Sequence, residues 1–374
     1  MKFRFSGKKI SSLVTVLPPR EVRFEDEIEN FGFSRQKSMK LKLVMGFDRH
    51  RLADEGTCAS DLCCCGLEYL FQRQILRPED PGALIFVTQS PDHLIPPTSN
   101  LIQGRMGLPI NVLCLDINQG CAGFVVGLLQ CFLLLELGLT DKVLLLNGDT
   151  LSHRVGKRDR NIYPMVGDAG SVAVVENDPA GPAIHGALYM DGAHARTLTI
   201  PAGGYRLPST AETAVEVKLG DGNFRAQDHF FMDGPAVFNF VQSKVPALVD
   251  ELLADAGCVK DNIESFVFHQ PNKFMLEKLA DGMGVGRDKV PSNIVEKFGN
   301  ASSVTVPTNI VYNFGSVLKE RTVRFCLGGF GVGLTWGAIL MSLGPMQVCD
   351  LIEYTTGGTC AKTVSGAGGD SGSR

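Results

Sequence analysis

Two stretches of this sequence repeat one order of elements about 180 residues apart, and no other feature narrows the fold so far. Short runs rich in Val, Ile and Leu alternate with longer segments of helical period, the pattern of strands covered by helices on both faces. In the first stretch it predicts strands over Ala83–Thr88, Asn111–Ile117 and Lys142–Asn147, with a helix from Cys121 to about Leu137. In the second it predicts strands over Ser265–His269, Val290–Val295 and Thr322–Leu327, with helices over Pro235–Ala256 and Pro271–Met283. Leu84 to Val87 lines up with Ser265 to Phe268, Gly120 with Gly299, and Lys142 with Thr322. The chain therefore reads as an α/β protein built from one duplicated unit.

Two such halves use nearly all of the 374 residues. Residues 1–176 form one half and 177–345 the other, and the Gly/Ser/Thr-rich end, 346–374, reads as a flexible tail. Between the halves, Glu176 to Gly234 is rich in Gly, Pro, Thr and Asp, as expected of strands joined by longer loops. Hydrophobic residues make up 44% and charged residues 20% of the chain, enough apolar material for a large core. A net charge of −4 gives no electrostatic reason to expect nucleic acid or an anionic membrane as partner. Eleven cysteines, odd in number and irregularly spaced, point to reduced thiols in a cytoplasmic compartment. Cys63, Cys64 and Cys65 lack a second cluster at zinc spacing, so no structural metal is expected. The apolar run Leu13 to Leu17 is too short for a signal peptide, and the tract from Ala122 to Leu139 is broken by Gln130 and Glu136, so no membrane span is expected.

Cys121 follows a strand and the turn Asn118-Gln119-Gly120 and opens an apolar helix. Unpaired N–H groups and the positive end of the helix dipole there favour thiolate, which makes it the leading nucleophile. Its own N–H is placed to help form an oxyanion hole. On position alone, a buried cysteine acting as a small hydrophobe is an equal reading. His269 ends an apolar strand, where open α/β sheets carry ligand-handling groups; a capped, inert histidine is the alternative. Asn300 takes the position in the second half that Cys121 takes in the first, so the duplication puts it in the same pocket, although a turn asparagine is often only a local cap. The glycine-rich run Gly328 to Gly337 lacks the lysine and hydroxyl of a phosphate loop and reads as a hairpin or as a source of a second oxyanion donor.

Taken together, QGCAGF around Cys121, GDAGSVAVV from Gly167, HQPN from His269, FGNASSVTVPT around Asn300 and FGVGLTWG up to Gly337 resemble the β-ketoacyl-acyl carrier protein synthase III group of the thiolase superfamily. The resemblance spans about residues 80 to 343. It implies a five-layer α/β/α/β/α fold of two duplicated halves, a homodimer, and acyl carrier protein as partner. It implies a decarboxylative Claisen condensation: a cysteine takes an acyl group from an acyl-CoA or acyl-carrier primer, then malonyl-acyl carrier protein loses carbon dioxide and its carbanion attacks the acyl-enzyme. By matching position, Cys121 is the nucleophile, His269 and Asn300 stabilise the enolate, and the N–H groups of Cys121 and Val332 form the oxyanion hole. The family usually has glycine at the latter position. No metal or redox cofactor is implied.

For substrate binding, the resemblance points to Arg160, the family's adenine-side arginine, to Ile95 beside Leu94 in the primer pocket, and to Asn272 and Phe330 from two of the motifs. The family's coenzyme A site also uses a tryptophan and an arginine, where this chain aligns Lys40 and Val44. Condensing chemistry is therefore better supported than coenzyme A as primer carrier, and a carrier protein is able to deliver both acyl groups. Two rivals remain. Cys326-Leu-Gly-Gly resembles the second cysteine loop of thiolases, which suggests a thiolase or a non-decarboxylating acyltransferase. A non-catalytic partner subunit of a condensing enzyme is the other, although Cys121, His269 and Asn300 are all present.

Overall fold

The computed structural model describes residues 1–355 together with Thr363, Val364 and Gly366. Two twisted sheets stand face to face with helices between them and outside them. The first holds six strands in the order Val348–Glu353, Lys8–Leu17, Ala169–Asn177, Lys142–Asp149, Ala83–Val87, Leu113–Ile117. The second holds five: Lys2–Phe5, Ile184–Met190, Thr335–Leu343, Val323–Gly331, Ser265–Phe268.

Strand directions repeat between the sheets. Ala83–Val87 runs parallel to Lys142–Asp149, which pairs antiparallel with Ala169–Asn177. In the second sheet Ser265–Phe268 runs parallel to Val323–Gly331, which pairs antiparallel with Thr335–Leu343. Between the sheets lie the helices Gly123–Glu136 and Thr305–Glu320, each packed against strands of both. Ala59–Gln72 covers the outer face of the first sheet, and Gly234–Asp255 that of the second. This is the expected five-layer α/β/α/β/α arrangement. Gly123–Glu136 has no polar face over most of its length because it has a sheet on either side; Phe124, Leu128 and Phe132 are fully buried. Each such side chain contributes about 1.5–3 kcal/mol by leaving water.

Two expectations change, and one run left unassigned becomes a strand. The predicted strand Val290–Val295 is absent: Pro291 has no N–H for a ladder, and Ile294, Val295 and Phe298 are buried on the short helix Ile294–Phe298. The second sheet consequently lacks a counterpart to Leu113–Ile117. The apolar run Leu13–Leu17, too short to read as a leader, belongs to a ten-residue strand, Lys8–Leu17, that is buried at nearly every position. The chain also does not leave the fold at Met346, because Val348–Glu353 pairs parallel with Lys8–Leu17. Lys2–Phe5, in turn, pairs with Ile184–Met190. Each half thus receives its edge strand from the opposite terminus. Of the expected flexible tail, residues 356–362, 365 and 367–374 lie outside the described residues.

Candidate active site

Cys121 lies in the turn leading into Gly123–Glu136, His269 directly after Ser265–Phe268, and Asn300 between Ile294–Phe298 and Thr305–Glu320. All three line one cavity between the halves, with an empty volume of about 640 Å³. Its remaining wall is mostly apolar, with Val155, Ile162, Met165, Leu198 and Val241 among the lining residues.

Two glycines bring the last sheet strands up to the nucleophile. A Cβ on Gly331 would lie 2.7 Å from Cys121 Cβ, and one on Gly329 would lie 2.6 Å from Ala122 Cα. With that bulk absent, the Val332 N–H reaches the Cys121 sulfur, as does the N–H of Cys121 itself. The Gln119 amide donates to the Val332 carbonyl at 3.1 Å and holds this segment in place.

Burial pushes the Cys121 thiol up to about 11, outweighing the two backbone N–H groups and the Ser302 hydroxyl that pull it down, and the charge of Asp149 adds to the rise. The expected resting thiolate is therefore not the resting form. At neutral pH the sulfur carries its proton, and the proton must leave during reaction.

The polarity of Asn300 is fixed by its own turn. Ser302 N–H donates to Asn300 Oδ1 at 2.9 Å, which leaves the Nδ2 group free to donate. The Asn300 N–H donates to the Met165 carbonyl, and its carbonyl accepts from Gly167. Here the FGN and GDAG motifs interlock. A Cβ on Gly299, whose φ is +80°, would lie 2.5 Å from the Val166 carbonyl, and one on Gly167 would lie 2.3 Å from that of Phe298. Asp168 has a structural role: it accepts from Ala53 N–H and from both the N–H and hydroxyl of Ser152.

His269 Nδ1 sits 3.1 Å from the Ser302 carbonyl and 2.8 Å from Thr305 Oγ1. A protonated Nδ1 donates to the carbonyl; an unprotonated one accepts from the threonine hydroxyl and leaves Nε2 as the donor. Burial drives the imidazole down to about 3, so the ring is neutral at working pH. Phe330 packs edge-on against the ring at 5.7 Å and lines the same cavity.

The other expected binding residues lie elsewhere. Asn272 caps the helix Lys273–Met283 by accepting from the Met275 N–H. Arg160 stacks on Phe33, with its guanidinium carbon 4.5 Å from the ring centroid, and donates to the Asp221 carbonyl. Ile95 is 81% exposed and does not line the cavity. Cys326, the candidate second thiolase cysteine, is fully buried among the residues beneath the outer helix Gly234–Asp255, away from the cavity.

The sequence reading missed Gln89 and Ser302 in the cavity wall. It also missed Asp149, which ends the strand Lys142–Asp149 and is fully buried. The signal that singled out His269, a polar residue closing an apolar strand, applies equally to Asp149.

Residues 115–192 match the family described as 3-Oxoacyl-[acyl-carrier-protein (ACP)] synthase III, and residues 253–343 match its C-terminal part. The chain is 32% identical to a beta-ketoacyl-[acyl-carrier-protein] synthase III of Caldanaerobacter subterraneus over 294 residues, 78% of this chain and 86% of that one. It is 32% identical to a protein of the same name from Syntrophomonas wolfei, over 81% of this chain and 88% of that one. Among solved structures, a 3-oxoacyl-(acyl-carrier protein) synthase from Burkholderia xenovorans superposes with a TM-score of 0.88 at 34% identity, covering 95% of this chain and 99% of its own.

Proposed function

The chain belongs to the 3-oxoacyl-[acyl-carrier-protein] synthase III family, and on that premise we propose that Cys121 is the nucleophile of a decarboxylative condensation between an acyl thioester primer and malonyl-acyl carrier protein. The observation that carries this reading is the convergence of Cys121, His269 and Asn300 on one cavity, with two backbone N–H groups at the sulfur.

Cys121 attacks the primer thioester, and the N–H groups of Cys121 and Val332 hold the tetrahedral oxyanion until the carrier thiolate departs. Malonyl thioester then enters and loses carbon dioxide. The charge left on its thioester oxygen is met by Asn300 Nδ2 and by His269 Nε2–H, a tautomer reached when the Thr305 hydroxyl turns from the Ser302 carbonyl, to which it donates at 2.9 Å, toward Nδ1. The carbanion attacks the acyl-enzyme, and collapse of the second tetrahedral intermediate releases the 3-oxoacyl thioester and regenerates the cysteine. A neutral imidazole suits this role, since it donates without taking part in net proton transfer. The burial of Cys326 outside the cavity disfavours a thiolase mechanism.

Acyl carrier protein delivers the primer as well as the extender. Arg160 is already stacked against Phe33 and leaves no slot between them for an adenine ring. The protein works as a homodimer in the cytoplasm. The outer edge of Leu113–Ile117 has no strand beside it among the described residues, and Leu113 and Leu115 on that strand are exposed, as are Ile110 just before it and Ile95. An open apolar edge of this kind favours pairing with a second copy. Ile95 then belongs to the interface. All ten described cysteines are free, as a reducing compartment requires.

Intact-mass spectrometry with acyl-CoA and acyl-carrier protein donors tests the reading. Wild type gains one acyl mass, faster from the carrier protein, and Cys121→Ser gains none from thioester exchange at sulfur. An adduct that persists at another cysteine in a Cys121→Ala variant would overturn it.

A further inference from the structure

The neutral resting state of Cys121 leaves one group unassigned, the acceptor of its proton. Two buried polar atoms beside it have no well-formed hydrogen bond among the described residues, Ser302 Oγ and Asp149 Oδ2. An unsatisfied buried polar atom costs about 1–3 kcal/mol, so two in a row beside a nucleophile call for an explanation.

Their placement is built into the fold. The other carboxylate oxygen, Asp149 Oδ1, accepts from the Gln89 N–H at 2.7 Å, with the Ser90 and Thr88 hydroxyls at 3.3 and 3.4 Å. That orients the carboxylate and leaves Oδ2 for a further partner. The turn Ser302–Val304 packs against the strand Lys142–Asp149, and the Asn147 amide fastens it by donating to Ser303 Oγ at 3.2 Å. Ser302 is held at a φ of +53°, a left-handed conformation that costs a non-glycine residue roughly 1 kcal/mol or more. In that position its hydroxyl is close enough to act on the ionisation of both Cys121 and Asp149.

We infer that Asp149 takes the Cys121 proton through the Ser302 hydroxyl during acyl transfer and returns it when the cysteine is released. This rests on the condensing-enzyme reading above. The Sγ–H proton passes to Ser302 Oγ as the Ser302 hydroxyl proton passes to Asp149 Oδ2, while the sulfur lone pair forms the new bond to the thioester carbonyl. When the tetrahedral intermediate collapses, the departing thiolate of the carrier takes a proton from solvent. After condensation the cysteine thiolate recovers the proton held on Asp149 by the reverse path. Bonds and charge balance with no further reactant.

The environment supports the assignment. Burial raises the Asp149 carboxyl to about 7, which the surrounding N–H and hydroxyl donors only partly offset, so it is matched to accept a proton near neutrality. The ionisable groups that feel its charge are the thiol of Cys121 and that of Cys63 on Ala59–Gln72, each raised by it. No lysine or arginine pairs with it among the described residues. His269 shares the cavity but stays neutral.

The test is single-turnover acylation of Cys121 by an acetyl-carrier protein thioester, followed by intact mass from pH 5.5 to 9. It compares wild type with Asp149→Asn and Ser302→Gly. Glycine accepts the positive φ and removes the hydroxymethyl group while keeping the N–H and carbonyl that hold Asn300 and His269. Wild-type acylation should rise through about pH 7. Both variants should fall by roughly 10²-fold at neutral pH and regain rate only toward the thiol's own range. Alkylation by iodoacetamide should follow the same profiles without any carrier, and folding is checked by circular dichroism. If Asp149→Asn does not fold, Ser302→Gly carries the test alone. Variants that acylate at the wild-type rate with an unshifted profile would overturn the relay and leave the condensing reading intact. An adduct that survives Cys121→Ala would instead overturn that reading.

Discussion

His269 Nδ1 has a carbonyl on one side and a hydroxyl on the other, and only the hydroxyl is able to reverse its hydrogen bond. Replacing it should therefore lock the ring in the tautomer that donates to the Ser302 carbonyl and removes the Nε2 donor. Thr305→Val is expected to reduce malonyl decarboxylation by about 10²-fold, the usual cost of losing one oxyanion donor, while acylation of Cys121 stays within a few-fold. Thr305→Ser should restore decarboxylation. Carbon dioxide release and intact mass, measured on the same samples, separate the two steps. Cys326→Ala should cost some stability, since it shortens a fully buried side chain, but should leave condensation largely intact in a turnover assay. Cys121, His269 and Asn300 were legible as single letters because each closes a strand or opens a turn. Asp149 carried the same signal as His269, a polar letter closing an apolar strand, whereas Ser302 carried none, because a serine becomes unusual only when burial deprives it of water.

At the level of elements, the GDAG and FGN motifs are two faces of one contact. Their glycines pass within van der Waals distance of each other's backbone, so a methyl on either must push the two halves apart. Gly299→Ala combines that clash with a φ of +80° and is expected to lower stability by about 2 kcal/mol or more, read as the midpoint of thermal or urea unfolding. Sequence spacing located the motifs and their order, but it did not predict that they touch. The strand expected at Val290–Val295 failed for a related reason. A short apolar run fits a strand or a turn of helix equally well, and the choice fell to Pro291 and to the buried pocket that receives Ile294, Val295 and Phe298.

Across the whole molecule, the halves are tied by exchanged edge strands. Val348, Leu351 and Ile352 are buried against the first sheet, together worth several kcal/mol, which is comparable with the whole stability of a domain. A chain ended after Met346 should expose the edge of Lys8–Leu17 and aggregate or unfold, as circular dichroism and size-exclusion chromatography would report. Stability against pH should show a cancellation. The Asp149 pKa is raised in the folded state from 3.8 to about 7, so stability falls as pH climbs through that window. The His269 pKa is depressed from 6.5 to about 3, so stability falls as pH drops through that one. Where the windows overlap, from about pH 4 to 6.5, the two slopes of about 1.4 kcal/mol per pH unit oppose each other. Asp149→Asn should unmask acid lability there, and His269→Gln should instead show stability rising as pH falls. Urea midpoints across the range check both.

The sequence by itself determined the duplicated α/β plan and nominated the three residues that converge between its halves, because a repeat in hydrophobic period and a polar letter at a strand end are local signals. Only the tertiary structure decided which terminus completes which sheet, which glycines must clear the nucleophile, and that burial leaves Cys121 protonated beside an aspartate with one oxygen unpartnered among the described residues. Those outcomes depend on contacts between segments far apart in the chain and on how completely packing excludes water, and neither is written in the neighbours of any one residue.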